Sequence, residues 1–527
     1  MTKSKSTSKS TSKSKSAKLN TKKHSILNLN TFLNNDTTTK KSKKTSKQTK
    51  KTSKYKSYIP KLTNISLNSL EKKYNIELYK DTITSFYALN NPIISYFIKY
   101  DDAESKRLVK NAFYNLDLVP AYTFPEIEDT LKTIDLTFKL HKDLLKELKL
   151  KDIPKIVKYA SEDFTRGIRG FLDSRFKDLP INLSNGFVKL WEILHTFKLM
   201  ETSKENMNVF HIAEAPGQMV MCAKYYAEKK NPNMTHYEWR ANSLNPYNYD
   251  SKSKFAGLRD DYRLIKTNPQ KWLWGADNTG DITRVNNIKS FKKYIDTKWL
   301  TQKDTKETPH LDLIIGDGGL SADTNPAYVL QKLDLAQVIT VIACSSIGGS
   351  CVIKHFTSYM INKPETLEAT SFFISFMYLY YIAFEEVNLF KPYTSDATSG
   401  EFYVICKGFK GIDEHQLEKL YSILQRFKTN YALFPKEVIP ETFIKQIYNF
   451  LDVLTKYNIR GYEKQNYLLK CYKELQTNRS QAEKYTKLYQ KSNESYNDMC
   501  KTFLNEKNIE NILIPRYNQW IKMNEFV

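Results

Sequence analysis

An aspartate follows a short apolar segment near the centre of the chain, in Leu311-Asp-Leu-Ile-Ile-Gly-Asp-Gly-Gly. If the apolar residues form a strand, Asp317 lies at its carboxyl end, the edge of a doubly wound sheet where ligands bind. Gly318 and Gly319 leave room beside the carboxylate because they carry no side chain. A carboxylate here does little for stability, which favours a role in chemistry; the alternative is an aspartate that caps a turn.

Two further charged residues flank predicted strands. Lys354 ends the apolar run Gly348-Gly-Ser-Cys-Val-Ile-Lys. Its amine can take a proton from a hydroxyl group if burial and neighbouring charges lower its pKa, whereas the simpler interpretation is a lysine exposed at a strand end. Glu401 opens the segment Glu401-Phe-Tyr-Val-Ile-Cys after a polar loop. It either pairs with the lysine or is a charge exposed at the rim of the sheet.

Two turns have the composition of nucleotide-binding loops. In Val209-Phe-His-Ile-Ala-Glu-Ala-Pro-Gly-Gln, an apolar strand leads through a tight turn into a predicted helix. Gly217 lets a ligand approach the backbone, and Glu214 can contact a polar part of that ligand. Asp281, in Trp274-Gly-Ala-Asp-Asn-Thr-Gly-Asp, can accept a hydrogen bond from an adenine amino group, or it forms an Asx turn or helix cap. The fingerprint G-x-G-x-x-G is absent, which argues against a nicotinamide or flavin enzyme.

Apolar segments of strand length alternate with segments of helix length around these residues. The predicted strands are Val209–Ala213, Leu311–Ile315, Ser350–Ile353, Phe384–Phe390 and Glu401–Cys406. This alternation predicts a layered α/β sheet, whose last two strands form an antiparallel hairpin at the sheet edge. Helical periodicity dominates on both sides. We therefore expect a disordered tail over residues 1–56, a helical region over 57–175, the catalytic domain over 176–412 and a helical region over 413–527.

The charge of the chain is concentrated at its N-terminus. Residues 1–56 contain 17 lysines and one acid, Asp36, so they carry +16 of the formal net charge of +24. Such a Lys/Ser-rich segment buries too little apolar surface to fold, and it serves as a solubilising tail, a nuclear-localisation signal or an RNA tether. With 35 Tyr and 28 Phe, the basic chain has the composition to bind a polyanion and stack on bases.

Cysteine spacing and hydropathy exclude several other classes of protein. The six cysteines lie far apart and do not form the C-x-x-C pairs of a zinc site, so we expect reduced thiols and no metal; they are Cys222, Cys344, Cys351, Cys406, Cys471 and Cys500. No N-terminal apolar segment resembles a signal peptide, and no stretch of 18 uncharged apolar residues is present. We expect an intracellular protein, in the cytoplasm or nucleus, with no membrane partner.

The order of these motifs resembles the FtsJ-like (RrmJ-type) ribose 2'-O-methyltransferases over about residues 184–410. The shared features are a lysine before the first strand, an acidic-Ala-Pro-Gly turn, Asp-Gly-Gly after a strand, Gly-Gly-x-x-x-x-Lys, and Ser-x-Glu-x-Tyr-x-x-Cys-Lys-Gly. Within that family the chain is most similar to the branch of eukaryotes and large DNA viruses that acts on capped mRNA. The resemblance implies a Rossmann-like, S-adenosylmethionine-dependent methyltransferase sheet between the helical regions.

The resemblance also assigns residues to roles. The Lys-Asp-Lys-Glu tetrad of the family matches Lys189, Asp317, Lys354 and Glu401. The cofactor loop matches Glu214, Ala215, Pro216 and Gly217, with Asp281 near the adenine and Asp317 shared with the tetrad. Gln218 stands where the family usually has a second glycine, which predicts an altered contact to the methionine end of the cofactor. The acid that binds the cofactor ribose is not assigned, since neither Glu238 nor Asn242 is a clear match.

The expected activity is therefore S-adenosylmethionine-dependent methylation of an RNA ribose 2'-oxygen, at the cap-proximal nucleotide of mRNA. One alternative is methylation of ribosomal or other non-cap RNA. Another is an inactive RNA-binding protein that keeps the fold, and a nucleotide-binding oxidoreductase is a third. The expected partners are the capped 5' end of mRNA and other capping or transcription proteins. If the chain is viral, packaging in the virion is expected as well.

Overall fold

The computed structural model describes residues 94–98, 112–154, 164–180, 183–200, 204–248, 260–300, 310–320, 325–357, 360, 366–482 and 506–526. The basic tail predicted over residues 1–56 lies outside the described residues. So does Cys500, whereas Cys222, Cys344, Cys351 and Cys406 are described and are buried free thiols.

A seven-stranded mixed sheet forms the centre of the described chain, in the order β1-β7-β8-β6-β5-β3-β4. Its strands are β1 (Ile94–Ile98), β3 (Asn206–Ile212), β4 (His236–Ala241), β5 (Leu313–Gly316), β6 (Ser350–Phe356), β7 (Phe384–Lys391) and β8 (Glu401–Phe409). A separate pair joins β2 (Val119–Pro120) to β9 (Tyr431–Ala432). The strands predicted between residues 209 and 406 are confirmed, with bounds that differ by a few residues.

Strand direction decides which residues meet at one edge of the sheet. Strands β4, β3, β5 and β6 are parallel, so their carboxyl ends lie together. Strand β8 runs antiparallel to β6, with Glu401 opposite Phe356 in the register. The beginning of β8 therefore lies at the same edge as the ends of the parallel strands. This is the edge at which an open α/β sheet binds its ligands.

Helices connect the strands and cover the sheet. Those within the sheet region are α3 (Asn185–Phe197), α4 (Gln218–Lys230), α5 (Leu264–Thr267), α6 (Val285–Tyr294), α7 (Ala327–Cys344) and α8 (Thr366–Ala383). Short 3₁₀ turns lie at Ala112–Asn115, Pro269–Lys271 and Lys436–Val438, and a wider turn at Ile295–Trp299 continues α6. Local sequence explains where α3 begins, because the Ser184 hydroxyl accepts a hydrogen bond from the Phe187 N–H as an N-cap.

The flanking regions form helices that pack on other helices and, for the long helix Glu441–Ala482, on strand β1. They are α1 (Pro125–Glu147), α2 (Phe164–Arg175), α9 (Glu414–Arg426), α10 (Glu441–Ala482) and α11 (Glu506–Met523). Helix α1 packs along α10, and α11 packs against α2. A capping box at Asp413 and Gln416 fixes the start of α9. The helical periodicity predicted on both sides of the sheet is thus confirmed for the flanking helices that the structure describes.

One prediction about the sheet edge is wrong. The antiparallel hairpin of β7 and β8 does not end the sheet, because β1 pairs antiparallel with β7, with Ile98 opposite Val387. A five-residue strand within a segment of helical character has too short a pattern to stand out from the sequence alone. The N-terminal region therefore contributes an edge strand to the central sheet.

The core lies between the sheet and helices α6 to α9. Ile314, Ile353 and Phe402 from the strands belong to the same buried cluster as residues of these helices. Among the described residues, one helix, α7, is long and apolar enough to cross a membrane, and 78% of its apolar window is buried inside the protein. Such burial is typical of a helix at the centre of a folded core.

Candidate active site

The carboxyl edge of the sheet brings three of the four predicted tetrad residues together. Asp317 directly follows β5, Glu401 opens β8, and Lys354 lies two residues before the end of β6. Lys354 is opposite Tyr403 in the register, two residues from Glu401. Neighbouring strands thus place two carboxylates and a lysine in one cleft, as the sequence motifs predict.

The fourth residue reaches this cleft from a helix. Lys189 lies in the second turn of α3 and its ammonium is 2.5 Å from Glu401 Oε1. Its side chain is only 11% exposed. The apolar residues Phe187, Leu190 and Leu194 line one face of α3, and Lys189 lies on the opposite side. In the structure that side of the helix faces the cleft.

A second ion pair lies beside the first. The Lys354 ammonium is 2.8 Å from Asp317 Oδ1, and the Tyr403 hydroxyl donates to the same oxygen over 3.3 Å. The missing side chain of Gly319 leaves space here, since a Cβ at that position would lie 3.3 Å from the Lys354 amine. The cleft therefore holds two neighbouring lysine–carboxylate pairs.

A third lysine lies beside Glu401, and the sequence analysis assigns it no role. Lys391 ends β7 and is 1% exposed. Its ammonium donates to the Ser399 carbonyl at 2.7 Å, the Glu401 carbonyl at 2.9 Å and the Ser395 hydroxyl at 3.2 Å. Burial lowers the pKa of Lys391 to about 8, although the Glu401 and Asp396 carboxylates act in the opposite direction. The lysine thereby holds both ends of the loop between β7 and β8.

The charges in the cleft control one another's protonation. Burial alone would raise the pKa of Glu401, but the positive charges of Lys189, Lys354 and Lys391 lower it to about 2. Glu401 is therefore a carboxylate at every physiological pH. The Ser395 hydroxyl also donates to its Oε1 over 2.8 Å.

The surroundings of Lys354 do not lower its pKa, which is the condition that the sequence analysis sets for its action as a base. Burial does lower this pKa, but the carboxylates of Asp317 and Glu401 raise it by more, so the net pKa lies above its ordinary value of 10.5. The Asp317 carboxylate in contact with the amine and the nearby charge of Glu401 outweigh the effect of burial. Lys354 is consequently an ammonium in the structure.

The predicted cofactor loop follows β3 and turns sharply into α4. Ala213 and Gly217 have positive φ angles of 54° and 104°, and the Ala215–Pro216 peptide is cis. The Glu214 carboxylate turns back onto the helix start, where its Oε1 accepts from the Met219 N–H at 2.6 Å. Its buried Oε2 has no hydrogen-bond partner among the described residues. Burial, followed by the negative charge of Asp317, raises the pKa of Glu214 well above its ordinary value of 4.5.

The two residues considered for the cofactor ribose occupy different environments. Glu238 lies within β4 and forms ion pairs with Arg240 and with Lys271, the latter at 2.9 Å. Asn242 follows β4 at the carboxyl edge and is fully buried. Its Nδ2 donates to the Leu273 and Gly280 carbonyls, while its Oδ1 has no partner among the described residues. Position therefore favours Asn242 for a contact to a ligand at this edge.

Asp281 lies on the loop that covers the end of β4. The close packing requires Gly280, because a Cβ there would lie 1.7 Å from the Ser243 carbonyl oxygen. Asp281 Oδ1 accepts from the N–H and the hydroxyl of Thr283, and its Oδ2 is 3.4 Å from Arg284 Nε. Asp281 thus forms the predicted Asx turn, in a loop that contacts the end of β4 at the edge of the sheet where ligands bind. Asp281 does not join the tetrad.

Gln218 opens α4 close to the tetrad. Its Nε2 donates to the Tyr262 hydroxyl at 3.2 Å. A Cβ on Gly186, at the start of α3, would lie 3.2 Å from Gln218 Oε1 and 3.6 Å from Asp317 Oδ2. The amide therefore borders the same cleft as Asp317, where the family pattern usually has no side chain.

The structure adds three residues of the cleft to those that the sequence analysis assigns to the site. Lys391, Tyr403 and Ser395 contact tetrad members, although the sequence analysis assigns none of them a role. The one signal available for Lys391 is a lysine inside an otherwise apolar strand segment, Val387-Asn-Leu-Phe-Lys. The signal for Tyr403 is its period-two spacing from Glu401, which places both side chains on one face of β8.

Comparison with known proteins agrees with this geometry. The model of the FtsJ-like methyltransferase family matches residues 183–409, which include the tetrad and the cofactor loop. An uncharacterized protein of Acanthamoeba polyphaga mimivirus is 31% identical over 300 residues, which is 55% of this chain and 34% of that protein. Cap-specific mRNA (nucleoside-2'-O-)-methyltransferase 2 of Pongo abelii is 30% identical over 301 residues, 55% of this chain and 36% of that enzyme.

A probable methyltransferase of African swine fever virus is 27% identical over 304 residues, 54% of this chain and 64% of that protein. The chain spans only about a third of the length of the first two relatives. The family match, six of the seven strands of the sheet and the four charged residues lie in the same segment. Residues 183–409 therefore form an FtsJ-like methyltransferase domain.

Proposed function

We propose that the protein is an S-adenosylmethionine-dependent RNA methyltransferase that acts on a ribose 2'-oxygen of the cap-proximal nucleotide of mRNA. The observation that carries this proposal is the pair of lysine–carboxylate contacts, Lys189–Glu401 and Lys354–Asp317, at the ligand edge of the sheet. Two cations and two anions in one cleft suit the deprotonation and alignment of a hydroxyl group.

The loop after β3 fits the proposed cofactor. Enzymes of the FtsJ-like family use S-adenosylmethionine, and the residues that would hold it here are Glu214, Ala215, Pro216 and Gly217, with Asp317 and Asp281. The fit rests on unsatisfied buried oxygens, Glu214 Oε2 and Asn242 Oδ1, which are acceptors that a bound ligand can satisfy. When bound, the cofactor would supply a methyl group on a positively charged sulfonium.

Lys354 would act as the base that removes the proton from the 2'-hydroxyl. Its pKa must fall for this, and a cation bound in the cleft lowers the pKa of a neighbouring ammonium by like-charge repulsion. Asp317 would hold Lys354 in place through the 2.8 Å contact. Lys189 would position the ribose hydroxyl, and Glu401 would keep Lys189 oriented.

The proposed substrate is the 5' end of a capped mRNA. One relative is named a cap-specific mRNA 2'-O-methyltransferase, and the motifs of this chain are similar to that branch. Its basic charge suits a single-stranded RNA end, whose unstacked bases are accessible. Capping or transcription proteins are the proposed partners, and an intracellular location follows from that substrate.

The test measures transfer of a labelled methyl group to short RNAs of one sequence, capped or uncapped. A third, capped RNA carries 2'-deoxyribose at the first nucleotide. We expect methylation of the capped RNA and loss of the label with the deoxy substrate. Equal methylation of capped and uncapped RNA would favour the non-cap alternative.

The same assay separates the inactive alternative. A protein that binds RNA and S-adenosylmethionine but labels no RNA would contradict the proposed activity. Methylation that persists on the deoxy substrate, at the same level, would place the methyl group on a base or another nucleotide and would contradict the proposed position.

A further inference from the structure

Glu192 is a buried carboxylate that the proposed chemistry does not use. It lies on α3, three residues after Lys189, and it is 4% exposed. Its Oε1 accepts from the Tyr393 N–H at 2.5 Å. Its Oε2 accepts from the N–H and hydroxyl of Thr394 and from the Trp520 indole N–H, at 2.9–3.2 Å. Four donors therefore converge on one side chain.

These four donors come from two separate segments. Tyr393 and Thr394 begin the loop between β7 and β8, and Trp520 lies on the C-terminal helix α11. Only an acceptor with several lone pairs satisfies four donors, and a carboxylate has this capacity. Glu192 consequently joins three parts of the chain: the helix that carries Lys189, the loop that leads to Glu401, and α11.

The loop held by Glu192 is the loop that orients Glu401. Ser395 directly follows Thr394, and its hydroxyl donates to Glu401 Oε1. The same oxygen receives the Lys189 ammonium. A displacement of Tyr393 and Thr394 would therefore be passed to Ser395 and to the Lys189–Glu401 pair.

The C-terminal helix has further contacts to the same two segments. The Trp191 indole N–H donates to the Asn524 carbonyl at 2.9 Å. The Arg516 guanidinium donates to the Tyr393 hydroxyl, and both side chains are buried. Thus α11 and the residue that follows it contact α3 at Glu192 and Trp191, and α11 also contacts the loop.

We propose that Glu192 is a positioning residue that fixes Lys189 and Glu401 relative to each other and makes their geometry depend on the C-terminal helix. This inference rests on the proposed methyl transfer, for which that geometry matters. Helix α11 lies outside the matched methyltransferase segment, so the domain would rely on an element beyond its own boundaries.

The principal test is Glu192→Gln in the full chain. Glutamine has the same shape but turns an amide NH₂ toward donors, so part of the network must separate. We expect kcat for methyl transfer to fall by about 10²-fold, since small displacements of reacting groups have effects of this size. KM for S-adenosylmethionine and for RNA should stay within about twofold, because Glu192 contacts neither ligand.

Two variants complete the design. Glu525→Gln is the matched control, because the Glu525 carboxylate is exposed and pairs with Lys230 on the surface beside α11; its kcat should equal that of the wild type. Trp520→Phe removes a single donor to Glu192 while keeping an aromatic ring, and we expect a smaller, roughly fivefold, fall in kcat. It also keeps the test decisive if Glu192→Gln does not fold.

Amide hydrogen exchange supplies a readout that does not depend on activity. In both Glu192→Gln and Trp520→Phe, the amides of Tyr393 and Thr394 should exchange faster than in the wild type. If the wild type is active and the folded variants have an unchanged kcat, the inference about Glu192 is overturned while the proposed function stands. The same holds if kcat falls only because the variants no longer bind the cofactor. A wild type without methyl transfer would overturn the proposed function, and the positioning role of Glu192 with it.

Discussion

At the scale of single residues, the cleft is controlled by the balance of three lysines and two carboxylates. Lys354 shows why the balance matters, since its pKa lies above 10.5 despite burial. A base that starts as an ammonium must lose its proton before or during the reaction. The rate should therefore rise with pH in the range where the ligand-bound Lys354 titrates.

Glu401 permits a prediction about stability against pH. Its folded-state pKa is about 2, below the ordinary 4.5, so between these values the unfolded chain binds a proton that the folded chain does not. The free energy of unfolding should therefore fall as pH drops through this window, by roughly 3 kcal/mol in total from this group. Chemical denaturation at several pH values measures the slope.

The variant Glu401→Gln is the control for the dependence of the unfolding free energy on pH. The variant is less stable at neutral pH, because Lys189 and Lys391 lose a charged neighbour. Its unfolding free energy should depend less on pH between 4.5 and 2 than that of the wild type. Parallel slopes for the two proteins would contradict the assignment of a strongly lowered pKa to Glu401.

The residue types of the tetrad could be predicted from the sequence, but their pairing could not. Asp317, Lys354 and Glu401 follow from strand ends, because parallel strands end at one edge of a sheet. Lys189 depends on which way α3 rotates against β8, and Lys391 depends on a buried loop. Contacts of this kind join residues far apart in the chain and leave no local pattern.

At the scale of elements, the turn from β3 into α4 is the most constrained part of the cofactor loop. Gly217 has φ of 104°, and a Cβ there would lie 2.2 Å from Leu264 Cδ2. Gly217→Ala should lower the unfolding free energy by about 1–3 kcal/mol, because the backbone is unfavourable for alanine and the added atom clashes. We also expect weaker S-adenosylmethionine binding, measured by calorimetry.

The matched control for Gly217→Ala is Gly170→Ala. Gly170 lies inside α2, and a Cβ there would meet no atom within 4 Å. This change should raise stability by about 0.5–1 kcal/mol, since alanine favours the helix. If both variants lowered stability and cofactor affinity equally, the special role of the turn would be refuted.

The helices and strands differ in how well the sequence alone predicts them. Strands β3, β5, β6, β7 and β8 have enough apolar residues to be recognised, and α9 and α10 have clear periodicity. Strand β1 is five residues long and completes the sheet only through pairing with β7, so its place depends on tertiary contacts. The predicted hairpin edge is wrong for the same reason.

At the scale of the whole molecule, helical regions on both sides of the sheet pack onto the methyltransferase segment. Helix α10 contacts α1 and β1, and α11 contacts α2. The predicted division at residues 175 and 412 remains a prediction. The contacts of α11 with Glu192 and Trp191 indicate that a chain shortened to end at residue 412 would lose the support of the cleft.

The N-terminal charge leads to a prediction about RNA affinity. Residues 1–56 contain 17 lysines, and phosphate contacts by lysines release counterions. Deletion of these residues should weaken RNA binding and flatten its dependence on salt, while kcat at saturating RNA stays unchanged. Fluorescence anisotropy across a range of salt concentrations measures this slope; equal slopes for the two proteins would show that the tail does not touch RNA.

The central claim is that Lys354 deprotonates a ribose hydroxyl of RNA. The most direct measurement is methyl transfer to the 2'-oxygen of a capped RNA by wild type, by Lys354→Ala and by the surface control Lys132→Ala, whose lysine is 66% exposed on α1. S-adenosylmethionine binding is measured for all three proteins. We predict that Lys354→Ala binds the cofactor but transfers at least about 10²-fold more slowly, while Lys132→Ala matches the wild type. Transfer by Lys354→Ala at the wild-type rate would contradict the claim.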